Sequence, residues 1–530
     1  MEGFVRAEAG TLVDGRGAPI ILRGVGLGNW LLPEGYMWKF EKPGPQSPRE
    51  IEALVEDLVG PDRTVEFWQR FREVFITEAD IARIRDEGMN HVRLPINSRV
   101  VMDEKGGLIE SGFELIDRLI SWCRKLQVWV VLDLHGAPGG QTGTHIDDSP
   151  NGKPDLFTER RYRDLTIKLW RALAERYRDE TSVAAYDLLN EPLPHEHQHT
   201  YADRLRDIYI DLTAAIREVD RNHVITYEGT HWATNWSIFT EVWDQNSILQ
   251  FHKYWSAPDR PSIEQYIEIG RRLGLPIYMG EGGENYLDWI QTAFQLYDDC
   301  GISWNFWPWK KVDTLTSPCS VIPPPGWNHI TEYAAGRAPK PSASESWRIL
   351  GELLDAMPIA SCTYRQEVIS ALFRRPPLHI PAVGFGFAGA GRSYQTSNGA
   401  APLPAFRTDD QVTIRRARGR KHGELDWSHS VEFTQSAEED LVVSLGAGDW
   451  VAYDFETREP TALQFVIESA DGRPAIEVAV DGVPLRVDDA SAAVSGPLSA
   501  GRHALRLTGA GRETLVRSID VTPAQRPGMR

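Results

Sequence analysis

The chain has 530 residues, of which 42% are hydrophobic and 25% are charged, a composition that is ordinary for a globular protein. This length exceeds that of one compact domain, so we expect at least two domains. The net charge of -18 argues against nucleic acid or an anionic membrane as the main partner, because both bind clustered Lys and Arg.

The first residues, MEGFVRAEAG, lack a basic start followed by an apolar stretch, and no window approaches 18 uninterrupted apolar residues. We therefore expect no transmembrane segment and a cytoplasmic location for the chain as written. A secreted protein whose signal peptide had been removed would look the same. The four cysteines show no metal-binding spacing and are too few for a disulfide framework, so we expect free thiols, with a Cys300–Cys319 bridge as the alternative.

Short apolar runs alternate with longer amphipathic segments between residues 21 and 309. Most of the runs are continuous, as strands covered on both faces should be. The repeated pattern predicts a (β/α)8 barrel. The eight expected strands are ILRGVGLG from Ile21, HVRLPIN from His91, VWVVLDLHG from Val128, VAAYDLLNEP from Val183, VITYEG from Val224, ILQFHKYW from Ile248, PIYMGEGG from Pro276 and GISWNFWPW from Gly301.

The segments between the strands carry helical periodicity. In residues 159–180 an apolar residue recurs every fourth position among charged ones, which predicts a helix packed on the barrel. Thr77, followed by Asp80, is typical of a helix start, and Gly88 suits the end of the same helix. Two further helices are expected from Ser344 and from Gln366.

The composition and the hydrophobic pattern of the chain change after the last predicted helix. We expect the barrel domain to span residues 1–376 and an irregular, Gly- and Pro-rich connection to span 377–404. From residue 405 to 530 the apolar residues alternate with polar ones, as in Leu463, Phe465 and Ile467, and Asp481-Gly482 is typical of a hairpin turn. This pattern predicts an antiparallel β-sandwich.

Polar or aromatic residues suited to chemistry fall at the ends of the barrel strands, where barrel enzymes build their sites. A structural role would explain any one of these residues, but it does not explain all of them together. In strand order they are Arg93, His135, Asn190, Glu191, His252, Tyr254, Glu281 and Trp307.

Glu191 and Glu281, on the fourth and seventh strands, would face one another across the barrel mouth. A retaining glycosidase needs two carboxyl groups roughly 5 to 5.5 Å apart, a protonated acid and an ionised nucleophile. We expect Arg93 and Tyr254 to keep Glu281 ionised, and burial and the charge of Glu281 to raise the pKa of Glu191. Asn190 is placed to bond the sugar 2-OH, and Trp307 offers a flat face for a sugar ring.

The ordered motifs LRGVGLGNW, HVRLPIN, DLHGAPG, LLNEP, FHKYW, MGEGG and NFWPWKKVD resemble glycoside hydrolase family 5 over residues 4–375. The resemblance implies a retaining mechanism with Glu191 as acid/base, Glu281 as nucleophile and no metal or cofactor. It assigns substrate contacts to Arg93, His135, Asn190, His252, Tyr254 and Trp307.

Within the family, GVGLGNWLLPEGYMW and HGAPGGQTG are most similar to the branch of the exo-β-1,3-glucanases. The branch implies that Glu34 binds the terminal sugar in a closed pocket, whereas the alternative for Glu34 is a solvated loop carboxylate. The chain departs from the branch at Gly28-Asn29-Trp30, after Glu34 and in HIDDSPNGKPD, so exo action is better supported than glucan specificity. For Asp147 and Asp148 a polar loop is favoured over sugar contacts.

The run His195-Glu196-His197-Gln198-His199 lacks the HExxH spacing of a metal-binding helix, so we assign it to the rim of the cleft or to solvent. The C-terminal motifs GDWVAYDFE, VDGVPL and AGRHALRL resemble carbohydrate-binding modules of families 6 and 35. Trp450 and Tyr453 match core positions of that pattern, and a structural role for the sandwich is favoured over glycan binding.

These observations lead to one hypothesis, an exo-acting retaining β-glycoside hydrolase that cleaves a terminal sugar from an oligosaccharide, polysaccharide or glycoside without a cofactor. The alternatives are an endo-β-glycanase, a transglycosylase, a metal-dependent barrel hydrolase and a catalytically silent glycan-binding protein. The identity of the sugar and the oligomeric state are left open, because small differences in loop contacts decide sugar specificity.

Overall fold

The computed structural model describes residues 1–397, 406–417, 425–429 and 436–524. The expected connection and sandwich therefore lie partly outside the described residues. The chain divides into two compact units. The first comprises Met1–Lys253, Tyr266–Gly282 and Ser303–Tyr364, and the second comprises Tyr254–Gln265, Gly283–Ile302 and Arg365–Arg530.

A small antiparallel sheet opens the chain, and a closed parallel barrel follows it. The small sheet contains β1 (Arg6–Glu8), β2 (Thr11–Val13) and β3 (Pro19–Ile20). The barrel contains β4 (Arg23–Gly26), β5 (His91–Asn97), β6 (Trp129–Gly136), β7 (Val183–Asp187), β8 (Val224–Glu228), β9 (Ser247–Lys253), β10 (Ile277–Gly283) and β11 (Ser303–Trp307). The strands pair in chain order, and β11 pairs with β4 to close the barrel.

All eight predicted barrel strands are confirmed. Every residue of β5, β7, β8 and β9 is buried, which explains why these strands appear in the sequence as nearly continuous apolar runs. The acidic residues within them are the exception, and Asp187 and Glu228 stand at the carboxyl ends of β7 and β8.

Twelve helices are described: α1 (Pro48–Val59), α2 (Pro61–Val74), α3 (Glu78–Asp86), α4 (Ser98–Val101), α5 (Glu110–Leu126), α6 (Arg160–Tyr177), α7 (Ala202–Arg217), α8 (Glu264–Leu273), α9 (Leu287–Asp299), α10 (Trp327–Ala334), α11 (Ala343–Asp355) and α12 (Gln366–Phe373). The predicted helices correspond to α3, α6, α11 and α12. Thr77 and Asp80 form a reciprocal cap at the start of α3, and Gly88, at φ 91°, follows its end.

The small N-terminal sheet covers the amino-terminal end of the barrel. Val5 and Leu12 pack in one apolar cluster with Leu22, Val224 and Ile248, which stand at or next to the first residues of β4, β8 and β9. The opposite end, where the barrel strands finish, is therefore the end that presents polar groups.

A second small sheet of unit 1 contains β12 (Lys310–Val312), β13 (Cys319–Val321) and β14 (Thr363–Tyr364). Lys310, which is fully buried, lies 2.7 Å from Asp80 Oδ1 and donates to the carbonyl oxygens of Phe75 and Met357. The buried ammonium is therefore paired and hydrogen-bonded, as a charge in the interior must be.

Unit 2 contains two antiparallel sheets. One orders β17 (Thr413–Arg416), β18 (Leu441–Leu445), β25 (Thr514–Pro523), β20 (Leu463–Ser469) and β23 (Ala492–Val494), with β15 (Leu378–Pro381) also on β25. The other orders β16 (Tyr394–Gln395), β19 (Trp450–Thr457), β24 (Gly501–Gly509), β21 (Ile476–Val480) and β22 (Val483–Leu485).

The predicted sandwich is confirmed by these sheets. Leu463, Phe465 and Ile467 alternate inward in β20, and Asp481 and Gly482 both take positive φ in the turn between β21 and β22. The segment 377–404 carries β15 and β16 in its described part, whereas its proposed boundaries stay a prediction. Tyr453 lies in the apolar core, as expected from its motif.

Within the described part of the chain, no helix combines the length and the apolarity that crossing a membrane requires. The four cysteines are all free, and Cys123 and Cys319 are buried. The alternative of a Cys300–Cys319 bridge is therefore wrong for this structure.

Candidate active site

Eight of the nine predicted site residues lie in barrel strands or in the segments that follow them. They belong to unit 1 and are Glu34, Arg93, His135, Asn190, Glu191, His252, Glu281 and Trp307. Tyr254, directly after β9, falls in a segment of unit 2, so its contact with Glu281 stays a prediction.

Glu191 and Glu281 meet as the sequence predicts. Carboxylate oxygens of the two residues lie within 4.8 Å of each other. This short separation suits retention, where the carboxyl groups are roughly 5 to 5.5 Å apart, better than inversion, which needs roughly 6.5 to 9.5 Å. The Glu191 side chain is 16% exposed and that of Glu281 only 5%, so Glu191 is the more accessible to solvent.

Arg93, on β5, lies at the centre of the polar cluster and is fully buried. Its Nη1 donates to Glu281, its Nε donates to Asp187 at 2.8 Å, and its Nη2 donates to Asn190 Oδ1 at 2.8 Å. Asp133 and Glu228 lie 3.2 and 3.3 Å from Nη2. One planar guanidinium on β5 thus orients groups from β6, β7, β8 and β10 and from the segment after β7.

His135 forms a wall of the site together with Trp307. The two rings are stacked with centroids 5.5 Å apart, and the Trp307 indole donates to the Tyr36 hydroxyl at 3.1 Å. His135 Nδ1 lies 2.7 Å from Asp133, and Asn190 Nδ2 lies 3.3 Å from its Nε2. Burial lowers the pKa of His135 to about 4, so this imidazole is neutral at pH 7.

His252 lies between the two glutamates. Its Nδ1 lies 2.8 Å from Glu191 Oε1 and 3.7 Å from Glu281 Oε2. Burial alone would lower the pKa of His252, but the charges of Glu228 and Glu281 and the hydrogen bond to Glu191 raise it well above 6.5. His252 is therefore an imidazolium at neutral pH and donates its Nδ1 proton to Glu191.

The pKa directions of the glutamates in the resting site are the reverse of the expectation. Burial raises the pKa of Glu191, but the hydrogen bond and charge of His252 outweigh burial and leave the pKa lowered. For Glu281 burial dominates over the attraction of His252 and Arg93, and its pKa is raised. The expectation was wrong because it did not place a cation against Glu191.

Four buried polar residues of the cluster were missed by the sequence analysis: Asp133, Asp187, Glu228 and Gln250. Each stands in a largely apolar strand, and Asp133 and Gln250 stand two positions before His135 and His252, on the same side of their strands. That period-two spacing was the available signal. Burial raises the pKa of Asp133 to about 7.

Glu34 lies in the segment after β4 and is only 5% exposed, so the alternative of a solvated loop carboxylate is excluded. The segment is fixed by Asn29, whose Oδ1 accepts from the Trp38 indole at 2.6 Å and from the Glu34 backbone amide at 3.3 Å. Two residues after Glu34, the Tyr36 hydroxyl bonds Trp307, which connects this segment to the wall of the site.

Asp147 and Asp148 are buried, and their carboxylates accept hydrogen bonds from other groups of the protein. Asp147 accepts from the backbone amides of Thr142 and Ser149, and Asp148 accepts from Arg99 at 2.6 Å. Both aspartates therefore stabilise the segment after β6, in agreement with the favoured polar-loop interpretation.

Among the described residues, Glu191, His252 and Glu281 are also the group whose spacing approaches that of a metal site, with ligating atoms within 4.8 Å of one another. The bond from His252 to Glu191 and the bond from Arg93 to Glu281 already engage all three side chains. In the loop after Glu191, His195 contacts Gln198 and the ring of His231.

The comparisons with known proteins agree with this geometry. The family model described as Cellulase (glycosyl hydrolase family 5) matches residues 60–313. A beta-xylosidase of Phanerodontia chrysosporium is 30% identical over 348 residues, which are 58% of this chain and 71% of that protein.

A probable glucan 1,3-beta-glucosidase A of Neosartorya fischeri is 32% identical over 312 residues, 53% of this chain and 73% of that protein. Among solved structures, an endogalactoceramidase aligns over 97% of this chain and 100% of its own, with 16% identity and a TM-score of 0.49. From the matched residues and the two relatives, the chain belongs to glycosyl hydrolase family 5 and is a retaining glycoside hydrolase.

Proposed function

We propose that the protein is an exo-acting β-glycosidase that releases a terminal sugar, with Glu281 as nucleophile and Glu191 as acid/base. The observation that carries the proposal is that oxygens of the two carboxylates lie within 4.8 Å of each other at the carboxyl-terminal end of the barrel. Glu281 is hydrogen-bonded to Arg93, and Glu191 is hydrogen-bonded to His252. The substrate is a β-linked oligosaccharide, polysaccharide or glycoside.

In the first step a Glu281 oxygen attacks the anomeric carbon while the bond to the leaving oxygen breaks. The leaving oxygen takes a proton from Glu191 and departs as an alcohol. Arg93 holds the Glu281 carboxylate through Nη1, which fixes the attacking oxygen. Asn190, oriented by Arg93, presents its amide to the sugar 2-OH.

In the second step water attacks the same carbon from the opposite face. Glu191 takes a proton from that water, and the bond between the sugar and Glu281 breaks, which restores both carboxyl groups. The neutral His135 and the Trp307 ring provide an uncharged wall beside Glu281, on which the sugar ring can stack.

In the resting site, His252 holds the proton that Glu191 needs in order to act as an acid. Glu191 and His252 share one proton across a 2.8 Å contact, so transfer from Nδ1 to Oε1 gives a protonated Glu191 and a neutral imidazole. This transfer becomes favourable when a bound substrate displaces solvent and an alkoxide begins to form next to Glu191.

Exo action is supported by the segment around Glu34. Its carboxylate is buried, its backbone is anchored to Asn29, and Tyr36 bonds the indole of Trp307. A rigid carboxylate at the end of a sugar-binding wall is suited to bond the hydroxyls of a terminal residue and to block a longer chain.

A panel of 4-nitrophenyl glycosides tests the reaction and identifies the sugar. β-Xylosides and β-glucosides are the first substrates to try, because the relatives are named a beta-xylosidase and a glucan 1,3-beta-glucosidase. We expect release from one β-glycoside that EDTA does not change. Loss of activity with EDTA would favour the metal-dependent alternative.

Oligosaccharides labelled at the reducing end distinguish exo from endo cleavage. Exo action gives free monosaccharide and a labelled product one unit shorter at the earliest times, whereas endo action gives labelled products of several lengths. Products longer than the substrate would indicate transglycosylation. Glu34→Gln should raise KM for oligosaccharides by about tenfold if Glu34 binds the terminal sugar, the loss of one charged hydrogen bond.

A further inference from the structure

Glu228, the last residue of β8, is hydrogen-bonded to Glu191. It is fully buried. Its Oε2 accepts a hydrogen bond of 2.6 Å from the backbone amide of Glu191. Its own backbone is fixed, because the Tyr209 hydroxyl donates to the Glu228 carbonyl oxygen at 3.0 Å.

The amide that Glu228 accepts from belongs to a residue in an unfavourable conformation. Glu191 has a φ of 44°, in the left-handed region that residues with a Cβ rarely adopt. It also precedes Pro192, which restricts its backbone further. Such a conformation persists only where the surroundings hold it, and the bond to Glu228 is a contact that does so.

The second oxygen of Glu228 faces the side-chain partner of Glu191. Oε1 lies 3.4 Å from His252 Nε2, and the other ring nitrogen of His252 lies 2.8 Å from Glu191 Oε1. Gln250 Nε2 also donates to Oε1. The Glu228 carboxyl group therefore contacts the backbone of Glu191 directly, and it acts on the Glu191 carboxylate through the imidazole of His252.

We propose that Glu228 is a positioning residue that acts through Glu191, by fixing its backbone and by orienting the imidazole that shares its proton. The inference rests on the proposed role of Glu191 as acid/base. It requires that loss of Glu228 slows the steps in which Glu191 moves a proton and spares the attack by Glu281.

The charged groups facing Glu228 are Arg93 on β5, Asp187 on β7, His252 on β9 and Glu191. Burial raises the pKa of Glu228 to about 8, with Asp187 adding to the rise and His252 and Arg93 opposing it. Once ionised, above that pH, the Glu228 carboxylate in turn favours the charged form of His252.

Two variants separate the contacts. Glu228→Gln keeps an acceptor for the Glu191 amide and removes the carboxylate next to His252, whereas Glu228→Leu removes both contacts. Glu87→Gln is the matched control, because Glu87 is also a buried glutamate of unit 1 and bonds Arg83 and Tyr364 instead of the site.

The measurement is kcat/KM for two glycosides of the same sugar, one with a 2,4-dinitrophenyl leaving group and one with a methyl leaving group. The first needs no proton from Glu191 and the second does. For Glu228→Leu we expect a loss of about 10²-fold on the methyl glycoside and less than about threefold on the dinitrophenyl glycoside. Glu228→Gln should give a smaller loss with the same selectivity.

The pH profile gives a readout that a purely structural role would not move. In Glu228→Gln the basic limb of kcat/KM for the methyl glycoside should shift to lower pH, because the Glu228 carboxyl, with its pKa of about 8, ionises in that range and its negative charge next to His252 is lost. Equal losses on both glycosides, or no loss on either, would overturn the inference.

Glu191→Ala, measured in the same series, separates failure of the inference from failure of the proposed function. If Glu191→Ala loses the methyl glycoside selectively and the Glu228 variants do not, the role of Glu228 is wrong and the proposed function stands. If Glu191→Ala itself shows no selectivity, the acid/base assignment is wrong.

Discussion

The Nδ1 atom of His252 lies 2.8 Å from Oε1 of Glu191, so the more accessible of the two glutamates of the site rests against a cation. A general acid is usually pictured as a carboxyl group kept neutral by burial. Here the proton is held jointly by a carboxylate and an imidazole, and the pH dependence should report that pair as well as the nucleophile.

The acidic limb of kcat/KM should lie above pH 4.5, the ordinary pKa of glutamate, because burial raises the pKa of Glu281. Glu281 must be ionised to attack, so activity is lost as pH falls through this raised value. The measurement is kcat/KM on an aryl glycoside across pH, with the melting temperature followed at each pH to exclude unfolding. An acidic limb below pH 4.5 would contradict the assignment.

Replacing the two glutamates should have different consequences. Glu281→Ala should abolish turnover of every substrate, and Glu191→Ala should retain glycosylation by aryl glycosides that need no proton. Azide identifies the roles independently, because it attacks the vacated face. It should give a β-glycosyl azide with Glu191→Ala and an α-glycosyl azide with Glu281→Ala. The reverse anomers would exchange the roles.

Arg93→Lys should lower kcat/KM by about 10²-fold although it keeps the positive charge. A lysine cannot donate simultaneously to Glu281, Asp187 and Asn190, as the guanidinium does. Arg93→Met should in addition destabilise the fold by about 3 to 5 kcal/mol, because buried carboxylates lose their cation. Urea unfolding monitors the second effect, and an active Arg93→Lys enzyme would refute the first.

Lys310 provides a stability prediction away from the reacting atoms. Lys310→Met should cost about 3 to 5 kcal/mol in the free energy of unfolding, because Asp80 is left as an unpaired buried charge. The double variant with Asp80→Asn should recover part of that loss. A loss below about 1 kcal/mol for Lys310→Met would show that Asp80 becomes protonated at little cost.

The barrel strands could be predicted because strands covered on both faces are apolar throughout, and α3 could be placed because Thr77, Asp80 and Gly88 mark its ends. The two glutamates of the proposed catalytic pair could be placed at the site because one follows β7 and the other lies near the end of β10. Glu228 was missed because a single acidic residue in an apolar run does not reveal its partner, which is the backbone amide of a distant residue.

The pKa directions of the glutamates were beyond the sequence for a related reason. They depend on which glutamate His252 approaches more closely, 2.8 Å for Glu191 against 3.7 Å for Glu281. The short strands β15 and β16 could not be predicted either. Each is a strand because it pairs with a strand remote in sequence, β25 and β19 respectively, and its own residues do not indicate that partner.

The ion-pair partners of Arg93 come from both halves of the barrel, and this affects what happens when the chain is cut into two fragments. Arg93 and Asp133 lie in the first half of the barrel, and Glu228 and Glu281 lie in the second. A fragment ending between β7 and β8 would expose a guanidinium without two of its carboxylates, and the complementary fragment would carry acids without their cation. Two such halves should therefore be unstable apart and recover both stability and hydrolysis only on reassembly.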